Sequence, residues 1–242
     1  MAEAYAEYRP DYAEAAVRWA LAPAGPAPRV LDLGAGTGKL TAALVRLGAH
    51  VTAVEPDPAM LAELRRSLPG VRALPGRAEA IPLPDAAVDA VLAGQAMHWF
   101  DMRLAAPEIA RVLVPGGVLA GLWNSDDDRV EWVAGLDRVS QVSARATLSR
   151  WRAAGDEARV AQSDLQDLFG PIERAEFPHG QRRTVDSLVA TIATHSRLLV
   201  MPEAERARLL AEIRAYLTGR PETSAGEFTL PLVTGVLRTT RQ

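Results

Sequence analysis

Residues 30–40, VLDLGAGTGKL, place glycines at 34, 36 and 38 directly after an apolar run. A glycine in an ordered segment costs roughly 0.5–1 kcal/mol relative to alanine. Three within five positions imply a backbone bent tightly around something. A buried strand, a Gly-rich turn and a following helix would aim backbone N–H groups and the positive end of a helix dipole at a ligand. On that reading Gly34 makes the turn, Gly36 lets a ligand press on the backbone, and Gly38 lets the helix pack on its strand.

The flanking sequence supports such a unit and repeats it. RVLDL (29–33) reads as a buried strand, GKLTAALVRL (38–47) as a helix, HVTAVE (50–55) as a second strand and 56–68 as a helix with Pro58 at its start. A short strand at 71–76, a longer one at 86–94, a helix at 107–114 closed by Pro115, Gly116 and Gly117, and a strand at 118–124 continue the alternation. A further helix is expected at 11–22. Strand and helix in turn, with short loops, predict an α/β fold: a doubly wound, mostly parallel sheet with right-handed crossovers. Beyond Asn124 the pattern changes. Residues 126–151, 184–200 and 202–217 read as helices, and 174–180 and 227–240 as strands. Pro231 restricts the first half of the last strand to an edge or a bulge.

Composition excludes several functions. The chain has 242 residues, a net charge of −3 and no cysteine, so neither a nucleic-acid nor an anionic-membrane partner is expected, and thiolate chemistry and cysteine zinc sites are ruled out. The four histidines are scattered without ligand spacing, and no metal site is expected. The N-terminal stretch lacks the basic and apolar regions of a signal peptide, and no apolar run is long enough to span a bilayer. A cytoplasmic location is the expectation.

The loop departs from the dinucleotide fingerprint G-x-G-x-x-G/A, because Lys39 stands at the last position. Glu55 ends the second strand 21 positions after Gly34, where an acid can accept hydrogen bonds from ribose hydroxyls and would repel a 2′-phosphate. D-x-G-x-G-x-G after a strand, with the acidic strand end in VTAVEPDPAML, resembles the class I S-adenosylmethionine-dependent methyltransferases. GRAEAIPLPDAAVDAV (76–91) and EIARVLVPGGVLAGLW (108–123) resemble that family's next segments, in its order. YAEYRPDY near the start and QAMHWFD (95–101) resemble more closely its small-molecule subgroup, the trans-aconitate methyltransferase-like proteins.

The resemblance implies a Rossmann-like sheet of seven strands with an antiparallel edge strand and a helical cap. It implies residues 1–28 as a segment over the site, 29–124 as the donor-binding core, and 125–242 as a substrate-side insertion plus closing strands. It implies S-adenosylmethionine as cofactor, S-adenosylhomocysteine as product, and in-line methyl transfer to a small-molecule acceptor. The donor contacts it implies are Asp32, Gly34, Ala35, Gly36, Glu55, Pro56, Asp57, Met60, Ala78, Glu79, Gln95 and Arg9. For Asp32 a loop-capping carboxylate is the alternative, and for Met60 a core residue. Tyr8, Trp99, Arg152 and Arg197 are the implied substrate contacts, and His98 is the candidate general base.

A carboxylate acceptor fits the subgroup and needs no base. Arg150, Arg152, Arg182, Arg183 and Arg197 are available to hold it, although in a chain with a single lysine, Lys39, arginines are equally expected as plain surface. QAMH stands where nucleic-acid methyltransferases carry N/D-P-P-Y/F. A nicotinamide oxidoreductase is disfavoured by Lys39 and by the lack of a Tyr-x-x-x-Lys pair. A nucleoside-binding protein without turnover fits the same motifs, because class I enzymes share no obligatory catalytic side chain. A monomer or a homodimer is expected.

Overall fold

The computed structural model describes residues 10–140, 148–153, 167–194 and 196–242, without the side chains of 150, 151, 153, 196 and 197. Among the described residues, the strands β1 (Arg29–Leu33), β2 (His50–Glu55), β3 (Arg72–Pro75), β4 (Val88–Gly94), β5 (Leu113–Asp126), β6 (Glu173–Thr184) and β7 (Glu227–Thr240) form one sheet in the order β3-β2-β1-β4-β5-β7-β6. The first five strands are parallel, and β7 runs antiparallel to both β5 and β6.

Helices cover both faces because their apolar residues recur at helical spacing. α1 (Glu14–Leu21) buries Ala16, Val17, Ala20 and Leu21 on one face, joined there by Leu40 and Leu44 of α2 (Lys39–Arg46). α3 (Pro58–Ser67) sets Leu61 and Leu64 against Ala53 and Ala73. α4 (Met102–Val112) packs Ala105, Ala106 and Ile109 into the larger core, on the opposite face, with Leu31, Leu33 and Val91. α4 starts five residues before the predicted helix and holds Pro107 on its exposed side. Pro115, Gly116 and Gly117 do not close it. They form an irregularity inside β5, where Gly116 N–H donates to the Arg241 carbonyl and Arg241 N–H to the Gly117 carbonyl.

The remaining helices are α5 (Glu131–Ser140), α6 (Leu148–Ala153), α7 (Val185–Ala193), α8 (Ser196–Leu199), α9 (Glu203–Thr218) and α10 (Pro221–Ser224). α5, α7 and α9 make a separate apolar cluster with Phe228, Leu230 and Leu232, where the β6–β7 ribbon extends past β5. A helical cap therefore stands beside the C-terminal end of β5. Register also explains Pro231: residues 227–231 pair with β6 alone, so no second ladder needs the N–H that proline lacks.

Candidate active site

The β1–α2 loop is folded from the inside by its glycines. Gly34 has φ +72°, and a Cβ there would lie 2.7 Å from the Cβ of Ala96, so any side chain is excluded. Gly36 has φ +57°, and among the described residues the only atom within 4 Å of a Cβ there would be Met60 Sδ, at 3.9 Å. Its open side is a cradle that a side chain would fill. Gly38 corrects the sequence reading: the neighbours it makes room for are Leu64 and Leu68, at and after the end of α3, rather than its own strand.

Three carboxylates surround the loop. Glu55, almost buried, accepts from Gly36 N–H at 2.8 Å with Oε2 and from Asp57 N–H at 2.9 Å with Oε1. It clamps the two loops that end β1 and β2, with Ala35 and Pro56 beside the clamped positions. Asp57 accepts from the N–H groups of Ala59 and Met60, and so caps α3 ahead of Pro58. Asp32 is wholly buried. Its Oδ2 accepts from Thr41 Oγ1 at 2.5 Å, and Oδ1 has no hydrogen-bond partner among the described residues. Burial pushes the Asp32 carboxyl up to about 7, against the opposing pull of Thr41. The capping considered for Asp32 is performed by Glu55 instead. Sequence reading missed Thr41, whose only signal was a hydroxyl in the first turn after the glycines.

Toward β4, Ala78 is buried in the core, and Glu79 accepts from Asp101 N–H at 3.0 Å, tying the 76–81 loop to the start of α4. The Phe100 ring lies 3.5 Å from where a Gly34 Cβ would be. Gln95, at the end of β4, has φ +54° without being a glycine. Such strain needs local support. Its N–H donates to the Leu122 carbonyl, and its Nε2 to the Asn124 carbonyl at 2.9 Å. His98 and Trp99 follow in a single 3-10 turn, with ring centroids 5.0 Å apart. Trp99 is 80% exposed, so it does not pack the sheet edge.

Arg152 is committed to Glu176 through two hydrogen bonds, at 2.7 and 2.5 Å. Arg129 forks onto Asp127, just beyond β5, at 2.7 Å from each oxygen. Hydrogen bonds from Arg129 hold the Asp127 carboxyl, and those from Arg152 the Glu176 carboxyl, below the usual carboxylate range, with each pair also within reach of the other's charges. Arg182 is bound by Glu227. Tyr8 and Arg9 lie outside the described residues, as does the side chain of Arg197, which stands on α8.

The structure thus brings Asp32, Gly34, Gly36, Glu55, Asp57 and Met60 together at the C-terminal ends of β1 and β2. Gln95 and the His98–Phe100 turn follow β4, and Arg152 sits apart at the β5–β6 side. A cleft of about 670 Å³ opens at the opposite ends of the strands, lined by Arg29, His50 and Arg72, and has no part in this arrangement. Among the described residues no cluster of three or more acidic or histidine side chains is set to hold a metal, and no helix is long and apolar enough to cross a membrane. A loop open to close backbone approach at Gly36, leading from a strand whose Asp32 holds a buried acceptor oxygen without a donor among the described residues, suits a ligand that brings its own cationic N–H group.

The methyltransferase domain family matches residues 31–121. An uncharacterized methyltransferase of Mycobacterium tuberculosis is 41% identical over 238 residues, covering 98% of this chain and 92% of its own length. A malonyl-[acyl-carrier protein] O-methyltransferase of Methylococcus capsulatus is 39% identical over 134 residues, 51% of this chain and 48% of its own. A solved structure from Anaeromyxobacter dehalogenans, described as a type II methyltransferase, superposes with a TM-score of 0.68 at 26% identity, covering 97% of this chain and 98% of its own.

Proposed function

Since the chain belongs to the class I S-adenosylmethionine-dependent methyltransferases, we propose that its β1–α2 loop seats the donor and that its acceptor is a small molecule presenting a carboxylate. The observation that carries the donor assignment is the buried Asp32 Oδ1, without a hydrogen-bond partner among the described residues, at the end of the strand that leads into the open-sided Gly36 loop. When bound, S-adenosylmethionine supplies a methyl group already activated by a positive sulfur.

The chain's own residues then bind, orient and exclude water. Asp32 offers an acceptor to the donor's ammonium, whose charge offsets the burial that holds the carboxyl near 7. Glu55 holds Gly36 N–H with Oε2 and Asp57 N–H with Oε1, one lone pair of each, and leaves the others for ribose hydroxyls. Met60, Ala78 and Glu79 border the base, with Pro56 and Asp57 at its rim, and Gln95 and Arg9 meet the methionine portion. An ionised carboxylate needs alignment more than activation, and alignment alone can supply up to roughly 7–11 kcal/mol. His98 enters as a base only for a phenol, an amine or a carbon acid. Tyr8, Trp99 and Arg197 complete the acceptor side.

Arg152 supports the carboxylate reading, because Glu176 already occupies it as an acceptor carboxylate would. Exchanging one carboxylate for another at a guanidinium conserves its bidentate hydrogen bonds. The acceptor named for the Methylococcus capsulatus relative, malonyl-[acyl-carrier protein], offers the same functional group.

Parallel calorimetric titration with S-adenosylmethionine, S-adenosylhomocysteine and NAD tests the donor assignment. Binding of the first two and not of NAD is expected, and the reverse would overturn it. A screen of small carboxylic acids and malonyl thioesters for S-adenosylhomocysteine release then tests the acceptor. Turnover only on amines or phenols refutes the carboxylate.

A further inference from the structure

One polar cluster next to the site has no role in the reading above. Asn124 of β5 pairs in register with Thr234 of β7, and His179 of β6 stands diagonally beside Thr234. Asn124 and Thr234 are buried. Asn124 Nδ2 donates to the carbonyls of Pro10 at 3.1 Å and Asp11 at 3.2 Å. Carbonyls only accept, so these contacts fix which end of the amide is nitrogen. Oδ1 is left 2.6 Å from Thr234 Oγ1 and must receive that hydroxyl's one proton. The two lone pairs of Thr234 then take Ala13 N–H, at 3.0 Å, and His179 Nε2, at 3.1 Å. His179 must therefore carry a proton on Nε2, and the hydroxyl's capacity is used in full.

What the cluster grips is the backbone of residues 10–13, a strap entering α1. The strap is also tied to the donor loop. The Asp11 carboxylate pairs with Lys39 Nζ at 3.1 Å, on the first residue of α2. The Tyr12 ring lies so close over Gly94 that a Cβ there would collide with it. Gln95, the next residue, holds its strained backbone while its side chain donates to the Asn124 carbonyl. One residue, Asn124, thus fixes both the strap and Gln95.

We propose that Asn124, Thr234 and His179 are positioning residues for donor binding: without touching the donor, they hold the strap and Gln95 across the C-terminal ends of β1 and β4. The inference rests on the donor assignment above. The experiment is calorimetric titration of the wild type, Thr234→Ser, Thr234→Val and His179→Leu with S-adenosylhomocysteine, alongside their unliganded thermal unfolding.

Thr234→Val strands an amide oxygen, a backbone N–H and an imidazole N–H, and is expected to weaken binding by roughly ten- to hundredfold. Thr234→Ser keeps all three bonds and is expected to stay within about twofold. His179→Leu removes one bond and is expected to weaken binding several-fold. A Thr234→Val protein that melts lower but binds like the wild type overturns the inference, because the cluster is then merely structural. Should that variant fail to fold, unchanged affinity in His179→Leu overturns it instead. Absence of binding by the wild type refutes the donor assignment and this inference with it, whereas wild-type binding with indifferent variants refutes this inference alone.

Discussion

Asp32→Asn isolates the electrostatic cost of the site. Burial raises the Asp32 carboxyl from 3.8 to about 7, so the folded protein holds this proton over a pH range in which the unfolded chain has released it. Stability from this group is therefore complete below about pH 4 and is lost as pH rises through about 7. At about 1.4 kcal/mol for each tenfold change in proton affinity, the raised carboxyl sets a ceiling of about 4 kcal/mol on the loss. Asparagine cannot ionise and escapes it. It also puts an amide N–H₂ where Oδ1 has no partner, a pH-independent cost of about 1–3 kcal/mol. The variant should be no more stable than the wild type near pH 4.5 and should gain on it by about 2–4 kcal/mol by pH 8. For a chain of this size that is a relative shift of roughly 5–15 °C in unfolding midpoint. Thermal unfolding by circular dichroism of both unliganded proteins across that range is the assay. S-adenosylhomocysteine should raise the wild-type midpoint most above pH 7, where Asp32 is ionised, and should scarcely move the variant. Wild-type and variant curves that run parallel within about 0.5 kcal/mol from pH 4.5 to 8 would refute a strained carboxylate at this position.

Gly36→Val fills the cradle and should abolish S-adenosylhomocysteine binding in a protein whose far-ultraviolet dichroism is unchanged; calorimetry reads the loss. Glu55→Ala removes the acceptor of two loop N–H groups, so it should weaken donor binding by about 1–3 kcal/mol and also lower stability in urea titration. Arg152→Ala breaks an exposed pair and should cost no more than about 1 kcal/mol of stability. It should raise KM for a carboxylate acceptor while leaving donor affinity unchanged, as initial rates over both substrates would show.

Periodicity made the parallel half legible. β1, α2, β2 and α3 fall where alternating strand and helix patterns put them, because each buries a face whose spacing the sequence displays. The glycine loop was legible because φ above zero admits few other residues. The start of α4 was hidden, since Pro107 reads as a helix beginning yet sits exposed within the helix. Pro115, Gly116 and Gly117 read as a terminator, but their neighbour in space is Arg241, from the far end of the chain. The site's inner wiring was hidden for the same reason. That Glu55 rather than Asp32 holds the loop depends on which N–H each carboxylate meets. That Arg152 and Arg182 are already engaged depends on Glu176 of β6 and Glu227 of β7. An arginine's type and position carry neither fact.

The place of β7 bears on how the molecule is assembled. β7 lies between β5 and β6, and among the described residues β6 has no other strand beside it. The ribbon carrying Glu176 and His179 therefore cannot join the sheet before residues 227–240 have docked. Ala13 meets Thr234 across 221 positions of sequence, so the strap waits on the same event. Contacts of such long range slow folding, because chain entropy must be surrendered before they repay it. The early βαβ units can collapse first, but they yield a loop of glycines without its cover. On the role proposed for the strap, binding competence would arise only when the two remote parts of the chain have found each other, which would make it a late marker of complete folding.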